Sequence, residues 1–448
     1  MAAAASDKAR FYLEQSVPEL QEFKEKGIFS PAEITAIASK RSAFEHRINM
    51  AGAATPIDFA RYASYEMNLD QLRKKRCKRM GVKGTNFAGQ RKVFSVLERG
   101  VRRFSGDMGL WMQYLEFCRD EGANSKLAKG ITKVLRLHPT NWQLWVWASR
   151  HYFEAQGDMA LARSYMQRGL RFCGREKELW VQFLKLEMVY VAKVNARRKI
   201  LKLDEEIKDV DEQQDERNFL EADEVALPTV TATDLEPELK DRSLAIDDAT
   251  IKNLSKSPAL SGAIPMAIVE AAATTFNKSP SVLEDLFDCV ATFPDVPCTP
   301  KILQQILDLM PSDSKQANAG LIRMACDARL GITGANPRSA AFIPAFQQLL
   351  SKFKAIPRDT IDGRIIANSR LLMVTIPYLE DQDELVEEVV AVLEAVTHRN
   401  VEELESVAAK RSSGGKDPID GLAKKLSQHG VKTTTLSQYG LGRETGDG

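Results

Sequence analysis

The chain has 448 residues, of which 44% are hydrophobic and 27% charged, and a net charge of +1. That is enough apolar material for a large core with the charge balance of an ordinary soluble protein. No apolar run approaches the roughly 18 residues of a membrane span, the opening MAAAASDKAR lacks a signal-peptide core, and six widely spaced cysteines without a C-x-x-C pair read as free thiols of a reducing compartment, so membrane-spanning and disulfide-stapled classes are excluded.

In chain order, Phe11, Leu13, Val17, Leu20 and Phe23 form an amphipathic helical arrangement interrupted by Pro18 and stopped by Gly27. Leu13, Val17, Leu20 and Phe23 are the expected partner-binding face, since such a helix commonly lies in another protein's groove. Ser30-Pro31-Ala32-Glu33 is a helix start with a capping serine, a proline at the first position and a glutamate placed to close a capping box. A further capped start at Thr55-Pro56-Ile57-Asp58 leads through Phe59, Tyr62 and Tyr65 into a basic run. That run contains Arg73, Lys74, Lys75, Arg76, Lys78, Arg79 and Lys83 with no acid among them. It fits contact with RNA phosphates or with an acidic partner, nuclear import, or a solvated helix end. It has no interleaved aromatics to stack bases.

From Val93 to Leu186 one apolar pattern is written three times. Trp111, Trp145 and Trp180 stand 34 and 35 residues apart. Leu110, Trp111, Tyr114 and Phe117 share one helical face, as do Leu179, Trp180, Phe183 and Leu186, and Trp111, Tyr114, Trp145, Trp180 and Phe183 are the expected repeat core. Helices carrying Val93, Leu97 and Val101, or Ala162 and Leu170, precede each tryptophan. Gly100 and Gly169 admit close approach of a neighbour. Ser105, Pro139 and Gly174 hold equivalent places before the tryptophans, whereas Trp142 and Trp147 lie off the repeat position. A period of this size marks an all-α helical-repeat solenoid of antiparallel helix pairs.

Residues 203–250 hold 17 acidic and 4 basic residues, a composition that favours disorder or folding on a partner. Helical patterns resume from Ala267 and run to Glu405 without tryptophans. The expected organisation is an N-terminal helical segment and cap over 1–54, a repeat block over 55–203, an acidic, partly disordered linker over 204–265, a second helical-repeat block over 266–408 and a flexible tail over 409–448.

The pattern Leu110-Trp111-x-x-Tyr114-x-x-Phe117, preceded by helices such as that bearing Ala162, Arg163, Arg168 and Leu170, resembles the HAT repeat, a relative of the tetratricopeptide repeat found in RNA-processing assemblies. That resemblance implies a right-handed superhelix. Leu13-Glu14-Gln15-Ser16-Val17-Pro18-Glu19-Leu20, with Gly27-x-Phe29, Glu33-Ile34 and Arg41-x-x-Phe44-Glu45, resembles the opening of the U3 small nucleolar RNA-associated protein 6 family. The resemblance implies a scaffold subunit of the UTP-B complex of the small-subunit processome, in the nucleolus. Its implied partners are tandem β-propeller subunits, the U3 ribonucleoprotein and pre-ribosomal RNA, with no membrane and no small-molecule substrate. A HAT scaffold of splicing or mRNA 3′-end formation is the alternative.

No catalytic, metal or cofactor site is expected. His46, His138, His151, His398 and His429 are scattered without metal-ligand spacing. Gly415-Lys416 lacks the first glycine and the hydroxyl of a phosphate loop. His151 stands at the repeat position of Phe117 and Leu186, where a core histidine is expected.

Overall fold

A computed structural model describes residues 2–50, 52, 54–82, 87–200, 261–311, 318–336, 339, 341–380, 387–410, 418–428, 431–439 and 441. The acidic stretch at 203–250 lies outside the described residues. All regular secondary structure among the described residues is helical, and neighbouring helices pair as in a helical-repeat solenoid. By contact density the chain divides into two units, Met1–Leu144 and Trp145–Gly448.

The first unit contains α1 (Ala2–Glu14), α2 (Val17–Glu25), α3 (Pro31–Asn49), α4 (Pro56–Met80), α5 (Ala88–Arg103), α6 (Met108–Asp120), α7 (Asn124–Leu137) and the start of α8 (Trp142–Ala155). Local chemistry sets the starts. The Ser30 hydroxyl accepts from the Glu33 amide at 3.3 Å while the Ser30 amide donates to the Glu33 carboxylate at 2.8 Å. The Thr55 amide donates to Asp58 at 2.9 Å, and in both helices proline fills a first-turn position whose missing N–H costs nothing. Gly81 ends α4 at φ 67°, in the left-handed region where a side chain would be strained.

Between helices the apolar stripes close on one another. Val93, Val96, Leu97, Leu110, Trp111, Leu115, Ile131 and Val134 are buried, with α5 on α4 and α6, and α6 on α7. At Gly100 α5 comes close to its neighbours: a Cβ there would lie 2.8 Å from Leu110 Cδ2 and 3.1 Å from Phe59 Cδ1. The Trp111 indole N–H donates to the Ser105 carbonyl at 2.9 Å, and His138 Nε2 bonds the same oxygen at 3.0 Å. This partly buried turn carbonyl thus ties two successive turns.

The second unit runs from Trp145 of α8 through α9 (Met159–Cys173), α10 (Lys177–Ile200), α11 (Ala263–Thr275), α12 (Pro280–Ala291), α13 (Thr299–Leu309), α14 (Ala319–Leu330), α15 (Phe342–Ala355), α16 (Ile361–Glu380), α17 (Glu387–Lys410), α18 (Pro418–Gln428) and α19 (Thr433–Gln438). The repeat geometry recurs: Trp180 donates to the Gly174 carbonyl at 2.9 Å, and a Cβ on Gly169 would lie 2.9 Å from Trp145 Cγ.

Two findings concern the second unit. The helix that ends the tryptophan series, α10, packs directly on α11 and α12. Lys177 pairs with Asp285 at 2.8 Å and Asn195 donates to the Asp295 carbonyl at 3.2 Å, so one core runs across the expected boundary at 203. The expected flexible tail is in part core: Ile419, Leu422, Leu426, Val431 and Leu441 are buried against Leu372, Ile376, Val401 and Leu404. The physical reason is the i, i+3, i+7 spacing of the first three, which gives a short helix one apolar face. Lys425 adds a contact at 3.2 Å to Asp285.

Truncating Trp111 to Ala is expected to cost about 3–5 kcal/mol through a cavity, and Gly169→Ala about 1–3 kcal/mol through overpacking against Trp145. Trp142, off the repeat position and half-buried, costs less. Chemical denaturation of the three variants checks this, and equal losses at Trp111 and Trp142 would break the repeat register.

Candidate partner and nucleic-acid interface

The expected partner-binding face of the N-terminal segment is largely used within the chain. Phe23 is buried with Ile28, Phe29, Ile37, Leu69 and Cys77, and Leu20 packs on that cluster. Leu13 is half-buried, while Val17 at 45% and Phe11 at 56% exposure are the apolar side chains left to solvent. The reversal has a local cause. Gly27, at φ 63°, turns the chain so that Ile28 returns its amide to the Phe23 carbonyl at 3.0 Å. Leu20 and Phe23 are therefore core residues of a cap.

What fastens that cap is ionic. Arg41 of α3 is fully buried. Its guanidinium donates to both carboxylate oxygens of Glu66 on α4 at 2.8 Å, and to Glu19 of α2 at 2.9 Å. One turn on, Glu45 receives two hydrogen bonds from Arg99 of α5 at 2.8 and 2.9 Å. Arg99 in turn lies over the Tyr12 ring of α1 at 3.9 Å, and Lys92 donates to the Tyr12 carbonyl at 3.1 Å. Burial works against the Arg41 charge, but Glu66 and Glu19 more than offset it and hold its pKa above the ordinary value. Lys92 is pushed down by burial and by the nearby Arg41, and burial together with Glu66 and Glu45 pushes the Tyr62 hydroxyl up. The sequence signal for this network was available: Ile37, Arg41, Glu45 and Ile48 share one helical stripe, so two charges stand where the periodicity calls for apolar side chains.

The basic run splits in two. Arg73 is buried and donates to Asp70 at 2.7 and 3.0 Å. Lys74 reaches Asp70 at 2.9 Å and Glu121 at 3.7 Å. Arg76 grips Glu33 at 2.7 and 2.9 Å, donates to the Ile28 carbonyl at 3.2 Å and covers the Phe29 ring at 4.7 Å. These three are paired within the fold, so of the six residues named for contact with RNA or an acidic partner they are already engaged by the chain's own acids. Lys75, Lys78 and Arg79 are exposed and make no ion pair among the described residues; they are what the run offers to RNA or an acidic partner. Lys83 lies outside the described residues.

The repeat residues Trp111, Tyr114, Trp145, Trp180 and Phe183 are all buried and belong to the core. His151 is buried beside Trp147 and Tyr152. All six cysteines are buried and free of disulfides, and burial pushes the Cys289 and Cys326 thiols up to about 12, away from nucleophilic use. Among the described residues, no group of three or more His, Cys, Asp and Glu is placed to hold a metal ion, and no helix is long and apolar enough to cross a membrane. A groove of about 440 Å³ contains Asp327 and Lys352, which pair with each other at 2.8 Å. A shallower one of about 290 Å³ is lined by Phe29, Ile37, Tyr65, Leu69 and Leu72.

Removing Arg41 leaves two buried carboxylates without their cation, so Arg41→Met is expected to cost about 3–5 kcal/mol. Replacing Lys75, Lys78 and Arg79 together by Ala should shift stability by no more than about 0.5 kcal/mol per site. Urea titration of both variants separates the structural from the free cations. The Arg76 guanidinium and the Ser30 amide hold the Glu33 carboxyl at about 2, below its ordinary 4.5. A lowered acid pKa stabilises the fold above the unfolded value, and that contribution is lost as pH falls through the folded one. The difference in melting temperature between the native chain and Glu33→Gln should therefore be full above about pH 4.5 and shrink as pH falls towards 2.

Comparison with known proteins falls on this same region. Residues 13–99 match the family model described as U3 small nucleolar RNA-associated protein 6. The protein of that name from Schizosaccharomyces pombe is 36% identical over 200 residues, covering 44% of this chain and 41% of its own length. The human homolog is 28% identical over 190 residues, with 42% and 32% covered, and that of Dictyostelium discoideum 26% over 191 residues, with 42% and 31% covered. The match thus spans less than half the length of these curated relatives. Over this region, the chain is similar to the U3 small nucleolar RNA-associated protein 6 family.

Proposed function

We propose that the chain is a non-catalytic scaffold subunit of the U3 ribonucleoprotein machinery, within the UTP-B complex of the small-subunit processome. In this reading it works in the nucleolus, supports pre-ribosomal RNA processing and small-subunit assembly, and has tandem β-propeller subunits as its immediate protein partners. The observation that carries the reading is the family match over residues 13–99. That segment contains Glu19, Arg41, Glu45, Glu66 and Arg99, the buried charges that fasten the cap. The matched segment is thus the one that holds the cap together. A repeat scaffold suits such a role, because stacked helix pairs present extended surfaces without needing a pocket. Free cations at Lys75, Lys78 and Arg79 and the groove lined by Phe29, Tyr65 and Leu72 are the surfaces the first unit offers.

Affinity purification of the tagged full chain from nuclear extract, with mass spectrometry of proteins and sequencing of bound RNA, tests the reading. Propeller subunits and U3 RNA are the expected recovery. Recovery of splicing or mRNA 3′-end factors in their place would replace the processome with another RNA-processing assembly.

A further inference from the structure

In the second unit, the last turn of α9 carries an exposed aromatic side chain. Phe172 is 59% exposed and stacks on Trp145, with ring centroids 5.8 Å apart and planes within 12°. The platform beneath it is fixed. Gly169 presses the α9 backbone onto the indole, Trp145 lies 6.5 Å from Tyr165, and Tyr165 stacks on Tyr152 at 5.1 Å. One face of the Phe172 ring rests on this aromatic column and the other is open to solvent.

The charges on its own helix are of one sign, and Glu176 stands in the turn that follows. Helix α9 bears Arg163, Arg168 and Arg171 and no acidic residue. Arg163 is spent on Glu187 at 2.7 and 2.8 Å and on the Tyr190 ring. Arg168 and Arg171 are exposed and have no ion pair among the described residues. Arg168 stands four residues before Phe172, on the same side of the helix, and Arg171 is its immediate neighbour. In the repeat register, Arg171 follows Arg136 by 35 residues and Arg136 follows Arg102 by 34, the spacing of the tryptophans, and all three are exposed. A basic residue thus recurs at one surface position of successive repeats.

We propose that Phe172, Arg168 and Arg171 form a contact site for single-stranded RNA, with a base stacked on the open face of Phe172 and the flanking phosphates held by the two arginines. A flat, supported ring beside unpaired guanidinium groups matches the two chemistries that a single strand presents, π faces and phosphate charge, and it tolerates any base. An acidic peptide would answer the arginines but leave the ring uncovered. The site deepens the proposed processome role by placing one RNA contact on this chain, and it rests on that reading.

The experiment measures binding of the purified full chain to labelled single-stranded RNA oligomers of unrelated sequence by fluorescence anisotropy across a salt series. Phe172→Ala should weaken binding by about five- to a hundredfold for every sequence, with only a small fall in melting temperature, since the ring is largely exposed and loses a single stack on Trp145. Phe172→Leu, which keeps apolar surface but loses the flat ring, should stay weak. Arg168→Gln with Arg171→Gln should flatten the slope of log affinity against log salt by about 1.4, the loss of two phosphate contacts on a single strand. Affinity unchanged in Phe172→Ala, or no RNA binding by the native chain, overturns the proposal. So does restoration of wild-type RNA affinity by Phe172→Leu, which would show that apolar bulk suffices. Loss of a protein partner from Phe172→Ala purifications, with RNA affinity intact, would assign the patch to protein. Recovery of U3 RNA with the native chain from extract, alongside no direct binding in vitro, would sink this site and leave the scaffold reading standing.

Discussion

The fold depends on how closely one repeat can approach the next, and that distance is set where a large ring meets a residue without a side chain. Gly169 lies against Trp145, and Gly100 against Leu110 and Phe59. At these points the helix backbone itself is the surface that the neighbour packs on. The tryptophans add direction to the contact, because Trp111 and Trp180 each give their indole N–H to the carbonyl six residues earlier. The same ring that fills the core thus satisfies the turn that introduces its helix. Core packing and turn geometry are consequently one interaction, which is why a single amino-acid type at a fixed interval can organise the array.

That interval was readable because tryptophan is rare and a repeat of 34 or 35 residues has few structural explanations. The starts at Ser30-Pro31 and Thr55-Pro56 were readable for a local reason: all the atoms that decide a cap lie within four residues. What stayed hidden depends on partners distant in sequence. The run from Arg73 looked uniformly free because the acids that neutralise Arg76 and Lys74 sit at Glu33 and Glu121, on other helices. The face of Leu20 and Phe23 was correctly apolar, but periodicity does not say whether a stripe meets its own chain or another. Residues 418–428 carry little signal in the sequence, because three spaced aliphatic residues in a polar, glycine-containing stretch form a face only where Leu372, Val401 and Leu404 meet them.

Both units also bury charge, and in each the charges join helices that are separate in sequence. In the second unit, Glu284 and Asp288 on α12 meet Arg370 of α16 and Arg329 of α14, with Lys425 of α18 close to Asp285. Apolar stripes alone would tolerate sliding of one helix along another. A guanidinium held by two hydrogen bonds to one carboxylate does not, so the ion pairs fix register while the aliphatic residues supply most of the stabilisation.

For the first unit this has a consequence at its N-terminal end. An array of repeats ordinarily loosens from its ends, since a terminal helix has a neighbour on one side only. Here Tyr12, Glu19, Arg41, Glu45, Glu66, Lys92 and Arg99 link α1 through α5 in one chain of charge and ring contacts. Peeling the first two helices would remove Glu19 from the buried Arg41 and uncover its pair with Glu66 of α4. Opening α1 and α2 therefore costs the contacts of Tyr12 and Glu19 with α3 and α5, so these helices are held more firmly than a terminal pair packed on apolar side chains alone.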